Sequence, residues 1–194
     1  MSGITPSQTV GPYYAYCLTP ERYSLPVVFT SDLTRPGLEG EIVRIEGRVL
    51  DGDNVGIPDS MLEFWQADAK GSFDHALGGK GSNVGFKGFG RVEPGAEGQW
   101  SLTTIKPGRV KDANGVEQAP HIDVAVFSRG MLKHLTTRIY FSDEASNAAD
   151  PILALVPEDR RNTLIARRDG DVYRFDVRIQ EGPDGVPETV FFAC

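Results

Sequence analysis

"EIVRIEGRVLDG", residues 41–52, alternates apolar and charged positions. Val43, Ile45, Gly47 and Val49 fall on one side of an extended chain and Arg44, Glu46 and Arg48 on the other, because side chains on a strand change face at every residue. "DVYRFDVRIQ" (171–180) repeats the pattern, with Tyr173, Phe175, Val177 and Ile179 against Arg174, Asp176 and Arg178. Between these two lie the runs "SMLEFWQA" (60–67), "QWSLTTIKPG" (99–108), 121–128 and "TTRIYF" (136–141), and "ETVFF" (188–192) closes the chain. Short runs separated by turn residues such as Pro107-Gly108 predict an all-β antiparallel β-sandwich. Helical signal is sparse. "PEDRRNTLIARR" (157–168) has acids at its start and arginines at its end, as a helix dipole prefers, and predicts one short surface helix. "DEASNAADPILAL" (143–155) is weaker and is interrupted by Pro151. Residues before Glu41 are rich in turn residues and poor in strand pattern, so the chain divides into an N-terminal arm, 1–40, and a sandwich domain, 41–194. The Gly-rich stretch 78–90 reads as a long loop; it lacks the Gly-Lys-Ser/Thr ending of a phosphate cradle.

Composition sets the bounds. A chain of 194 residues fits one domain with extensions and can bury roughly 70% of its unfolded surface. A net charge of −7 argues against a nucleic-acid surface. No apolar run approaches the ~20 residues of a membrane span, and "MSGITPSQTV" has neither the basic nor the apolar region of a secretory signal. The two cysteines, Cys17 and Cys194, lie near opposite ends and imply no disulfide framework, which fits a cytoplasmic protein.

Chemistry is concentrated in "APHIDVAVF" (119–127). A His-x-His on a strand puts two imidazoles on one side of a sheet and is a recurrent half of a metal site; here the positions read His121, Ile122, Asp123. The other histidines, His75 and His134, stand at no helical ligand spacing from it. No G-x-S-x-G is present, which excludes a hydrolase elbow, and neither cysteine has a Cys-x-x-Cys partner. Read from residues alone, the chain is a β-sandwich without a complete catalytic set.

The motifs in order carry more. "TPSQTVGPYY" (5–14), "MLEFWQADAKGSF" (61–73), "GFGR" (88–91), "TTIKPG" (103–108), "APHIDVAVFSRG" (119–130), "TRIYF" (137–141) and "YRFDVRIQ…ETVFF" resemble the intradiol ring-cleaving dioxygenases from Thr5 to the C-terminus. The resemblance is to the alpha-type chains of the members that act on protocatechuate. In the iron-bearing beta-type chains, Fe(III) is held by two tyrosines and two histidines. Carried over by position, the histidines correspond to His121 and Asp123. One tyrosine falls near Val110, after Lys106-Pro107-Gly108, and the other in the loop 73–87, which contains no tyrosine. The resemblance thus implies vestigial metal positions at His121, Asp123 and Val110, no metal in this chain, and Fe(III) in a partner beta chain. A hard ferric ion needs anionic oxygen-rich donors, which one imidazole and a non-matching aspartate do not supply.

It also implies a part in catalysis at the interface between the chains. The "T-x-G-P-Y" segment, here Thr9, Gly11, Pro12 and Tyr13, would wall the partner's pocket. Glycine permits close approach, proline stiffens, and tyrosine adds a flat amphipathic surface. Arg129, ahead of Gly130, would meet the ring carboxylate of the substrate with its bidentate fork; a salt bridge within its own chain is the competing role. The implied reaction is intradiol cleavage of protocatechuate with dioxygen to 3-carboxy-cis,cis-muconate. Two other readings stay open: a purely structural β-sandwich partner, and a self-sufficient iron dioxygenase with ligands from His75, His121, Asp123 and Tyr13 or Tyr14.

Overall fold

The computed structural model describes residues 16–73, 86–183 and 185–193. Among these residues eleven strands follow one another: β1 (Ile42–Leu50), β2 (Ser60–Trp65), β3 (Phe89–Val92), β4 (Gln99–Ile105), β5 (Val110–Lys111), β6 (Glu117–Gln118), β7 (His121–Ser128), β8 (Leu135–Phe141), β9 (Ile165–Asp169), β10 (Val172–Arg174) and β11 (Val177–Arg178). The fold is all-β, as the alternating runs predict. Its main sheet runs β4-β1-β10-β9-β8-β7-β2-β3, with β11 continuing beside β1, and β5 and β6 form a separate ribbon.

The pairing is not uniformly antiparallel. β1 runs parallel to β10 and β11, and β8 runs parallel to β9. The long connection 142–164 makes the second case possible, since a parallel neighbour needs a crossover of a dozen or more residues. The two ends of the sheet are joined by residues 30–33. Arg91 N–H donates to Thr30 O at 3.2 Å, Thr103 N–H to Ser31 O at 2.8 Å, and Leu33 N–H to Thr103 O at 2.9 Å. Part of the 1–40 segment therefore seals the β3 and β4 edges against stray pairing. Among the described residues, no helix is long and apolar enough to cross a membrane.

The inward faces match the alternation. Val43, Ile45, Val49, Tyr173, Phe175 and Val177 are buried in one core together with Leu62, Phe64 and Ile122. The second predicted strand, 171–180, is split at Phe175-Asp176. There Phe175 N–H donates to Glu46 O at 2.9 Å, and Asp176 Oδ1 accepts from Arg48 N–H at 2.9 Å. Gly47 makes this crossing possible: a Cβ there would lie 1.7 Å from Phe175 O. Gly47→Ala is expected to cost about 2–3 kcal/mol, because the backbone on both sides must move apart. A denaturant midpoint unchanged from wild type would show that the two segments are looser than described.

The predicted helix 157–168 is instead a 3-10 helix, Glu158–Leu164, running straight into β9. Leu164 and Ala166 are both fully buried, and that period of two belongs to extended chain. Residues 143–155 form two 3-10 turns, Ala145–Ala149 and Leu153–Leu155. The run 188–192 contributes one bridge, Phe192 to Thr136, because the Thr137 hydroxyl takes the Val190 carbonyl at 2.8 Å in place of a ladder partner. This covering segment creates a smaller second core of Ala119, Tyr140, Leu153, Val156 and Leu164 beside β7 and β8.

Candidate functional site

His121 and Asp123 lie at the start of β7, on the face opposite the main core. The register pairs His121 with Tyr140 and Asp123 with Arg138 across β8. Four polar side chains therefore share one patch, and the second core closes over part of it. His121 is buried, and its Nδ1 lies 2.8 Å from Ala119 O. A ring nitrogen facing a carbonyl carries the proton, so Nε2 keeps a lone pair. That nitrogen lies 3.9 Å from Asp123 Oδ2. The other carboxylate oxygen, Oδ1, accepts from Arg138 Nε at 2.8 Å. Arg138 Nη1 donates to Gln118 Oε1 at 2.8 Å and approaches the Tyr140 hydroxyl at 3.4 Å. Tyr140 in turn donates to Asp150 Oδ1 at 3.1 Å. Val110 is buried on β5, opposite Gln118 of β6, so its apolar side chain belongs to the same neighbourhood.

These groups do not suit a ferric ion. Tyrosine binds iron as tyrosinate, but burial pushes the Tyr140 phenol well above its ordinary value and keeps its proton in place. Asp123 is already engaged by a guanidinium. Among the described residues, no group of three or more His, Cys, Asp or Glu is arranged to hold a metal.

Burial, helped by the Arg138 charge, pulls His121 below its ordinary 6.5. In the unfolded chain the imidazole takes up a proton as pH falls through about 6.5, whereas the folded imidazole resists until its lower value. The unfolded state then binds more protons, and stability falls as pH drops from 6.5 toward the folded value. His121→Gln is expected to flatten that limb of a urea-midpoint curve recorded between about pH 7.5 and 5. An unchanged slope would assign the limb to another group.

Arg129 is elsewhere. It follows β7 at the end opposite His121, about 26 Å away along an eight-residue rise. Its guanidinium pairs with Asp59 of the same chain at 2.7 Å, with the two side chains 63% and 48% exposed. Thr9, Gly11, Pro12, Tyr13 and Tyr14 lie outside the described residues, as do His75 and Cys194. His134 is exposed and stacks on Phe127 with ring centroids 5.3 Å apart; Cys17 is exposed and free. Sequence reasoning missed Arg138, Tyr140 and Asp150 as site residues. The usable signal was "TRIYF": once β8 is paired with β7, positions 138 and 140 fall opposite 123 and 121.

A family model described as dioxygenase matches residues 10–181. The chain belongs to this family, the intradiol dioxygenases, whose chemistry is iron-dependent. Over 198 residues it is 50% identical to the alpha chain of protocatechuate 3,4-dioxygenase from Burkholderia cepacia, covering 97% of this chain and 96% of that one. The beta chain of protocatechuate 3,4-dioxygenase from the same organism is 31% identical over 173 residues, 80% of this chain and 73% of that one. Among solved structures, the dioxygenase domain of a carbohydrate-binding fusion from Streptomyces sp. SirexAA-E superposes with a TM-score of 0.58 at 26% identity, covering 91% of this chain and 98% of that one.

Proposed function

We propose that this chain is the alpha-type subunit of a protocatechuate 3,4-dioxygenase, assembled with a beta-type chain that holds the ferric ion. The observation that carries the reading is the engagement of Asp123 by Arg138, in a chain whose whole length is similar to an alpha chain. The metal position is taken up by a salt-bridged side chain, while the fold that presents it is retained. When bound in the partner, ferric iron would supply the activation of the catecholate toward dioxygen. This chain's residues bind and orient: Thr9, Gly11, Pro12 and Tyr13 wall the partner's pocket, and Arg129 holds the ring carboxylate. Arg129 is too far from His121 to serve the patch there, which fits a pocket that belongs to the partner chain. An ion pair as exposed as Arg129–Asp59 contributes little, so the guanidinium can change partners at small cost. A row of aromatic rings, Phe29, Phe89, Trp65 and Phe73, with neighbouring centroids 4.7 to 6.3 Å apart, offers the kind of surface that a permanent partner covers.

The test is co-expression with a beta-type chain and iron counting. One iron per alpha–beta pair is expected, and the separated alpha chain should be colourless. Iron in stoichiometric amount on the isolated chain, with a visible band, would overturn the assignment. Arg129→Ala is expected to reduce kcat/KM for protocatechuate by about 1.5–3 kcal/mol in free-energy terms and to leave unsubstituted catechol nearly unaffected. The Arg129–Asp59 pair favours a second reading, a purely structural partner, in which the same substitution lowers both activities equally or neither.

A further inference from the structure

The gap between His121 and Asp123 carries a charge argument of its own. The Nε2 lone pair and the Asp123 carboxylate face each other at 3.9 Å, which is too far for a hydrogen bond and unfavourable without a cation between or beside them. Two coordination bonds of about 2.0–2.1 Å meeting at a tetrahedral angle span ~3.4 Å, so a small turn of an Asp123 side chain released from Arg138 brings the pair within the reach of one transition-metal ion. The second carboxylate of the patch, Asp150, sits behind Tyr140 and accepts its hydroxyl. The cation present is Arg138. Its fork is fixed on Asp123 and Gln118, its side chain is 19% exposed, and its charge acts on His121.

We propose that the Arg138 guanidinium is an internal cation that keeps this patch closed to metals, and that its removal opens a site for a divalent transition-metal ion on His121 and Asp123. The proposal concerns this chain's own pocket and stands whether or not a partner holds iron. Without Arg138, the Asp123 carboxylate loses its counter-charge while remaining partly buried, and an imidazole with its Nδ1 already anchored presents Nε2. This is the arrangement in which a second hydrogen bond orients a histidine ligand. Charge is the operative property, so lysine at 138 should exclude metal as arginine does.

Cobalt(II) is a suitable probe, because its visible bands report coordinated nitrogen and oxygen. The tag-free full-length chain is titrated as wild type, His121→Ala, Arg138→Leu, Arg138→Lys and the double variant Arg138→Leu/His121→Ala. Arg138→Leu is expected to bind one cobalt per chain at least tenfold more tightly than wild type. Both Arg138→Lys and the double variant should return to the wild-type level. Cobalt binding by wild type that is lost on His121→Ala, or a folded Arg138→Leu that takes up none, would refute the proposal. If Arg138→Leu does not fold, Arg138→Gln, neutral and polar, takes its place with the same expectation. The Arg138 guanidinium protons should exchange slowly and the Nη groups should rotate slowly in nitrogen-15 spectra, whereas a freely rotating, fast-exchanging guanidinium would show that no fixed cation fills the patch.

Discussion

Deleting residues 1–14 is expected to lower turnover of the co-assembled enzyme on the order of 10²-fold while leaving the sandwich folded, a loss of the size that misplacing a substrate by about 1 Å produces. The folding half of this expectation follows from where the sheet is sealed. The backbone contacts that tie β3 to β4 begin at Thr30, well downstream of the deletion, and the main core draws on strands from β1 onward. The functional half follows from the proposed wall of Thr9, Gly11, Pro12 and Tyr13. Oxygen uptake by the complex measures the first quantity and thermal unfolding the second. Full turnover by the truncated complex would remove the segment from the pocket. A collapse of the unfolding temperature would instead make the segment part of the fold.

Replacing Asp150 by alanine should cost about 3–5 kcal/mol of stability, because it removes a buried carboxylate and leaves four donors without their acceptor. Asp150 is 1% exposed. Its Oδ2 accepts from Ala119 N–H at 2.8 Å, and its Oδ1 from Ile152 N–H at 2.9 Å, Leu153 N–H at 2.8 Å and the Tyr140 hydroxyl at 3.1 Å. One side chain thus ties the 3-10 turns to the entry of β7 and to β8. Asp150→Asn keeps one acceptor oxygen and should lose less. Urea unfolding of both variants checks the order; equal losses would mean that charge, and not acceptor geometry, holds the segment.

Alternation made most of the sheet legible. In β1 the side chains of Val43, Ile45 and Val49 are buried as the pattern requires, because local period alone decides which face turns inward. Pairing direction was not legible. Nothing in "IVRIEGRVL" says that the strands on one of its two edges come from the far end of the chain and run parallel to it. The short surface helix expected at 157–168 forms over Glu158–Leu164 as a 3-10 helix and ends early: charge placement favoured a helix, but Leu164 and Ala166 had buried places waiting at a spacing of two, and tertiary packing outweighed propensity beyond that point. At the candidate site, His121, Asp123 and Val110 were visible as sequence positions. Arg138 and Asp150 were not, since their parts depend on cross-strand register and on a turn that folds back over the sheet.

The parallel pairing of β1 with β10 sets a timetable for synthesis. Arg174 reaches Glu46 across 128 positions of sequence. As the chain leaves the ribosome from its N-terminus, β1 can meet β4 early, but its other edge stays open until nearly all of the polypeptide has emerged. Such late closure slows folding and leaves an unpaired edge exposed during translation. A nascent chain of this kind benefits from a waiting neighbour, and co-translational capture by a partner subunit would shelter the open edge while the last strands are made.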